Sequence, residues 1–195
     1  MRLEPLEPRN APSWLGPILT YSFVPDGTRW LGGTSYVSRL PSNARQRIAD
    51  AIRLWGTALG YVVAEVPDNG AELGAYGKEQ GDLRFGDIRI GAAPDAMNVL
   101  ASSYFPPPTN TTYSGDVSFN ADQDWSKWDL YAVAIHELGH GIAGLDHSDE
   151  PNSVMQPTYT GLTTPSARDV DEALSRIGER WADPLTVFNK VGSSR

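Results

Sequence analysis

The sequence predicts an α+β fold, and three observations carry that expectation. Short stretches that alternate apolar and polar residues read as strands. One long pattern with apolar residues at helical spacing reads as a helix packed on them, and a second helix carries every histidine of the chain. With 40% hydrophobic and 21% charged residues in 195, there is enough apolar side chain to bury a core, so a disordered chain is excluded.

Taken in order, residues 1–17 are proline-rich and are expected to form an arm over the surface, and residues 18–195 a single domain. Residues 19–24 alternate like a half-buried strand and end at the turn Pro25-Asp26-Gly27, after which Trp30 and Gly32-Gly33 fall in a loop. Ser42, after Pro41, is expected to cap a helix in which Ala44, Ile48, Ala51, Ile52, Trp55 and Leu59 form one apolar stripe facing the sheet. Residues 61–66 read as the next strand and the glycine-bearing stretch 69–81 as a loop. Residues 82–85 with 88–90 supply a third strand, and 115–120 another. A helix beginning near Ser126 or Lys127 leads into the histidine segment. Thr164-Pro165 opens a final helix with Val170, Ala173, Leu174 and Ile177 on its apolar face. Residues 183–195 form a tail of no assigned course.

Histidine is scarce, three in 195 residues, and all three lie between positions 136 and 147. His136 and His140 are four apart, so a helix stacks them on one face, where two imidazoles can bind one metal ion. Glu137 is then placed to act on a metal-bound water. Continuing the helix to His147 would carry it ~10 Å past His140, out of reach of a shared ion. The chain must therefore break and turn back, and Gly144 permits it, because glycine takes the left-handed helix-ending conformation without steric cost. These residues point to a zinc peptidase.

The run His136-Glu137-Leu138-Gly139-His140, followed by Gly144-Leu145-Asp146-His147-Ser148, resembles the metzincin signature and specifically its matrixin form. Ser153-Val154-Met155-Gln156-Pro157 resembles the Met-turn that lies beneath the zinc in that clan. Pro157-Thr158-Tyr159 is similar to the matrixin segment that walls the specificity pocket. One departure stands out. The family pattern has glycine seven and histidine ten residues after the first histidine, whereas Gly144 is at plus eight and His147 at plus eleven. The extra residue lies within Gly141-Ile142-Ala143 and rotates the chain beyond it by about 100°, unless a π-bulge or a tightened last turn absorbs it. The third ligand is accordingly His147, or Asp146 at plus ten, or no competent group.

The resemblance implies a metzincin-type fold: a twisted, mixed five-stranded sheet, two long helices and a small C-terminal lobe with a further helix, the upper lobe running to about 144 and the lower over 145–195. It implies a zinc-dependent endopeptidase working through a zinc-bound water with Glu137 as general base and His136, His140 and His147 as ligands. Met155 packs under the site. Residues 99–107 resemble the edge strand that rims the cleft and pairs with extended substrate, so Leu100, Ala101, Pro157 and Tyr159 are expected at the substrate pocket. Tyr159 is either pocket wall or a further zinc ligand. Matrixins also carry histidines for a structural zinc; here Ser102 or Ser103 and Ser118 stand in their places, and since serine is a poor zinc ligand no second zinc is expected. In the loop where that family binds calcium, Asn120 and Gln123 are neutral, while Asp95, Asp122 and Asp124 either contribute to a weak Ca2+ site or form a solvated acidic loop.

The remaining bounds are compositional. A net charge of −8 gives no basic patch for nucleic acid. The absence of cysteine excludes a Cys-based zinc site and the cysteine-switch latency of many matrixins. Residues 1–8 contain no apolar core of a signal peptide, and no run of eighteen apolar residues spans a membrane. The expected partners are protein or peptide substrates, acting on a monomer, with secretion implied by the family alone. Two alternatives stay open: a metzincin-like binding module whose metal geometry the extra residue has spoiled, and an amide hydrolase acting on something smaller than protein.

Overall fold

A computed structural model describes residues 18–177. The expected arm over 1–17 and the tail over 183–195 lie outside the described residues. Strand β1 (Ile18–Phe23) is followed by a short hairpin, β2 (Arg29–Trp30) and β3 (Gly33–Thr34). Helix α1 (Ala44–Leu59) then leads into β4 (Val62–Glu65), β5 (Ile88–Ala93), β6 (Ala101–Ser103) and β7 (Val117–Asn120). Two helices follow, α2 (Leu130–Gly141) and α3 (Ala167–Ile177). The main sheet has five strands in the order β4-β1-β5-β7-β6, and all pairings are parallel except β6 against β7. This is the mixed five-stranded α+β architecture that the family resemblance implies.

Burial follows the topology. Every residue of the central strand β5 is buried, as expected for a strand covered on both faces, whereas the edge strand β4 exposes Val62 and Glu65. Helices α1 and α2 pack on each other through Trp55, which is fully buried and donates its Nε1–H to the Ile135 carbonyl at 2.9 Å. The predicted stripe of α1 is this contact surface: Ala44, Ile48, Ala51, Ile52, Trp55 and Leu59 are all in the core. Among the described residues no helix is long and apolar enough to cross a membrane.

The departures from the sequence expectations are local and each has a side chain behind it. Asn43, not Ser42, precedes α1, and its side chain makes no capping bond. Helix α2 begins at Leu130 and not near 126, because Asp124 binds the Ser126 N–H and hydroxyl and closes a turn with Lys127. Asp129 then caps the helix, accepting from Tyr131 N–H at 2.9 Å. Helix α3 is opened by a reciprocal pair in place of Thr164-Pro165: Asp169 N–H donates to Ser166 Oγ at 3.1 Å, and Ser166 N–H to Asp169 Oδ2 at 2.8 Å. Its inward face carries Ala173 and the buried Asp169, while Leu174 is 51% exposed. Residues 82–85 form a turn in place of a strand, since Asp82 captures both the backbone and the guanidinium of Arg84. Trp30 sits in the small hairpin, buried against Val24 and Ala93.

The strand residue Arg89 is 1% exposed, and its charge is met from the loop that precedes it. Asp68 takes its Nε and Nη2 at 2.8 Å each, the Ala71 carbonyl takes Nη2 at 2.7 Å, and the rings of Phe85 and Trp30 flank the guanidinium. This pair clamps the 68–72 loop to the sheet.

Candidate active site

Helix α2 brings His136 and His140 onto one face, as their spacing requires. Their Nδ1 atoms lie 2.8 Å from the Val154 carbonyl and 2.5 Å from the Leu145 carbonyl. A carbonyl oxygen only accepts, so each Nδ1 carries the proton and each Nε2 presents a lone pair. The two Nε2 atoms face each other at 3.2 Å. Burial, the leading cause, lowers both pKa values, that of His140 to about 4, which keeps the rings neutral at neutral pH. The ring of His147 completes the group, with centroids 5.3 Å from His136 and 4.9 Å from His140. One nitrogen from each of the three lies within 4.8 Å of the others.

This donor set fits a zinc ion. Two nitrogens about 2.05 Å from one tetrahedral ion stand roughly 3.3 Å apart, close to the spacing of the helical pair. Facing lone pairs in a half-buried site need a cation between them, and Nδ1–H bonds to carbonyls are the usual outer support of histidine ligands. The three-histidine cluster is therefore consistent with a zinc site.

His147 reaches the cluster because the chain turns sharply after α2. Ile142 still has helical geometry, and Gly144, at φ 69°, reverses the path while its N–H bonds the His140 carbonyl at 2.9 Å. Leu145 N–H closes onto the Gly139 carbonyl at 3.1 Å, six residues back. That is one residue more than an ordinary helix end of this type spans. The extra residue is thus accommodated by a widened terminal loop, not by a tightened last turn. Asp146 points elsewhere: its carboxylate bonds Arg176 at 3.0 Å and is not part of the cluster.

Glu137 is buried beside the histidines. Burial holds its carboxyl up to about 7, against opposing contributions from a Ser103 hydrogen bond and from His147. The Ser103 hydroxyl donates to Glu137 Oε2 at 2.8 Å from the edge strand β6. Met155 lies under α2 in the core, so close that a Cβ on Gly139 would stand 2.4 Å from its Sδ. The segment carrying it is fixed from α3: Asp169 accepts from Ser153 Oγ at 2.5 Å and from Val154 N–H at 3.2 Å. Val154 is also the partner of His136, so Asp169 steadies that ring through one intervening residue.

A pocket opens next to the cluster, and its walls include Leu100, Ala101, Trp128, Val133, Pro157 and Tyr159. The Tyr159 hydroxyl accepts from Asp129 N–H at 2.9 Å, and its ring meets Trp128 edge-on at 5.1 Å. These contacts hold Tyr159 on the pocket wall. On the other side, the half-exposed Phe105 stands edge-on to His140 at 6.0 Å. Ser102 and Ser118 face each other across β6 and β7. Of the acidic loop, Asp122 pairs with Arg39 and Asp124 with Lys127, while the Asn120 side chain organises the turn around Asp95.

Sequence reasoning weighed Ser103 only as a replacement for a metal ligand and did not single out Asp169, Trp128 or Arg176. No local signal marks Ser103 or Trp128, whose partners lie 34 and 31 residues further along the chain. Asp169 could have been noticed as the fourth residue of a Ser-x-x-Asp helix opening.

Comparison with known proteins gives a consistent result. The family model described as Matrixin matches residues 35–174. Matrilysin of Felis catus is 32% identical over 168 residues, 80% of this chain and 55% of that protein. Matrilysin of Homo sapiens is 32% identical over 163 residues, 77% of this chain and 51% of that protein. Karilysin of Tannerella forsythia is 40% identical over 68 residues, 33% of this chain and 14% of that protein. The chain spans about half the length of the matrilysins it matches.

Proposed function

The chain belongs to the matrixin family, and on that premise we propose that it is a zinc-dependent endopeptidase. The observation that carries this is the convergence of three imidazole nitrogens beside a buried carboxylate at the mouth of a pocket. His136, His140 and His147 hold the metal. Zinc held there would supply a Lewis acid able to acidify water and polarise the scissile carbonyl.

The protein's own groups do the rest. Glu137 takes a proton from the attacking water and delivers it to the leaving amine, a task suited to a carboxylate held near neutrality. The short strand β6 offers its free edge to an extended peptide, which binds as an added strand. Leu100, Ala101, Pro157 and Tyr159 receive the side chain beyond the cleaved bond. Substrates are proteins or peptides, met outside the cell by a monomer.

The test is cleavage of denatured casein by the zinc-loaded protein, with Glu137→Ala in parallel. Turnover by the wild type and its loss by a factor of about 10² or more in the variant is expected. Equal inertness of both proteins would sink the peptidase and leave the metzincin-like binding module.

A further inference from the structure

We propose that Arg176 is the positioning residue for the third histidine, holding the widened loop after α2 so that His147 meets His136 and His140. The inference rests on the zinc reading above and adds a residue that the metal-binding motif does not contain.

His136 and His140 are each fixed twice, by the helix and by an Nδ1–H bond to a carbonyl. His147 has neither. It lies beyond the helix and is exposed, and among the described residues its ring nitrogens bond no protein group; its ring touches the other two rings. Its place is therefore set by the backbone of residues 144–148. That backbone is wider by one residue than an ordinary helix end, so it has more ways to close and needs more restraint.

The restraints can be followed one by one. Leu145 is held at its N–H by Gly139 and at its carbonyl by His140, and Ser148 N–H bonds the Met155 carbonyl at 2.9 Å. Gly144 and Asp146, on either side of Leu145, are both held by Arg176. Its Nη1 donates to the Gly144 carbonyl at 2.6 Å and to Asp146 Oδ2 at 3.0 Å, while Nη2 is aimed by Glu172 at 2.6 Å. A planar, permanently charged fork suits this bridging of a carbonyl and a carboxylate, and an ammonium does not reproduce it. Asp146 is in this arrangement a strap for the loop and not a ligand. Helix α3 thus supports the cluster at both ends: Asp169 acts through Val154 on His136, and Arg176 through Gly144 and Asp146 on His147.

The experiment measures zinc affinity by competition with a chromophoric chelator. The proteins are the wild type, Arg176→Met, Arg176→Lys, Asp146→Asn and the control Arg168→Met. The control removes the same charge from α3 at a residue paired with Glu150, beyond residues 144–148 and without a contact to Gly144 or Asp146. Loss of an outer-shell partner typically lowers metal affinity about 10–100-fold. Arg176→Met is expected to fall in that range, Arg176→Lys and Asp146→Asn to lie between it and the wild type, and Arg168→Met to match the wild type. The melting temperatures of the metal-free proteins are expected to coincide. Zinc binding by Arg176→Met as tight as the wild type overturns the proposal, as does an equal loss in Arg168→Met. A loss confined to variants whose metal-free form melts early also overturns it, and Asp146→Asn, which leaves α3 intact, decides the matter if Arg176→Met does not fold. If the wild type itself binds no zinc, the parent reading falls and this one with it.

Discussion

Ser103 and Glu137 meet through one hydrogen bond, from the edge strand proposed to receive substrate to the proposed general base. A bond to a charged group contributes about 1.5–3 kcal/mol. Ser103→Ala is accordingly expected to lower kcat about tenfold or more, because Glu137 gains freedom in a site where its direction matters. KM stays near the wild-type value, since the strand's backbone is untouched, and Ser103→Thr, which keeps the hydroxyl, recovers most of the rate. Steady-state kinetics on a peptide substrate check this; an unchanged kcat in the alanine variant refutes it. Nothing near Ser103 in the chain marks it. Its role comes from a neighbour 34 residues on, which only the packing of α2 against β6 supplies.

At the scale of elements, loops are attached to the sheet by buried charge, and two aspartates at one such attachment behave differently. Asp68 holds Arg89 with two bonds, and also accepts from Ser22 Oγ and Gly70 N–H. Asp68→Asn leaves a guanidinium without its carboxylate in the interior and is expected to cost about 3–5 kcal/mol in chemical denaturation. Asp116 is as buried, but burial pushes its carboxyl well above the usual range, and among the described residues its Oδ2 has no partner. Burial thus disfavours its charged form, and Asp116→Asn, which keeps an acceptor for the Arg89 N–H, is expected to cost less than Asp68→Asn. Equal costs for the two substitutions would refute this division.

A third carboxylate makes the loop sensitive to acid. The Arg84 guanidinium bonded to Asp82 holds that carboxyl down to about 2. The folded value is depressed, so the stabilisation is fully present above the unfolded value near 3.9 and is lost as pH falls through the window from about 4 to 2. Wild-type stability, followed by circular dichroism in urea, should decline across that window more steeply than that of Asp82→Asn. The sequence marked the strand over 88–90 and the loop over 69–81 but misread 82–85 as strand, because Asp-Leu-Arg-Phe alternates like one until the Asp82–Arg84 contact curls it into a turn.

For the whole molecule, the apolar core between the sheet and helices α1 and α2 is built without the histidine cluster. Stripping the proposed zinc with a chelator is therefore expected to leave the far-ultraviolet circular dichroism nearly unchanged. Melting should still fall, since a ligand at about 1,000 times its Kd contributes about 4 kcal/mol, or about 10 °C for a chain of this size. Global unfolding on chelation would show that the fold depends on the metal.

The sequence by itself determined the α+β class, the apolar stripe of α1 and the stacking of His136 with His140. Each comes from periodicity or from spacing within a few residues, and local geometry is read directly from the chain; the place of Met155 came only from the family resemblance. Tertiary structure alone decided which residue joins the two helical histidines. One extra position after His140 rotates the chain beyond it by about 100°, so spacing leaves His147 and Asp146 both in play. The choice was made by the widened turn at Gly144 and by a guanidinium 30 residues beyond Asp146 that takes its carboxylate away from the cluster. Ser103 on Glu137 and Asp169 on Val154 belong to the same class of contact. They join elements far apart in the chain, and the physics that places them is the packing of whole helices on a sheet.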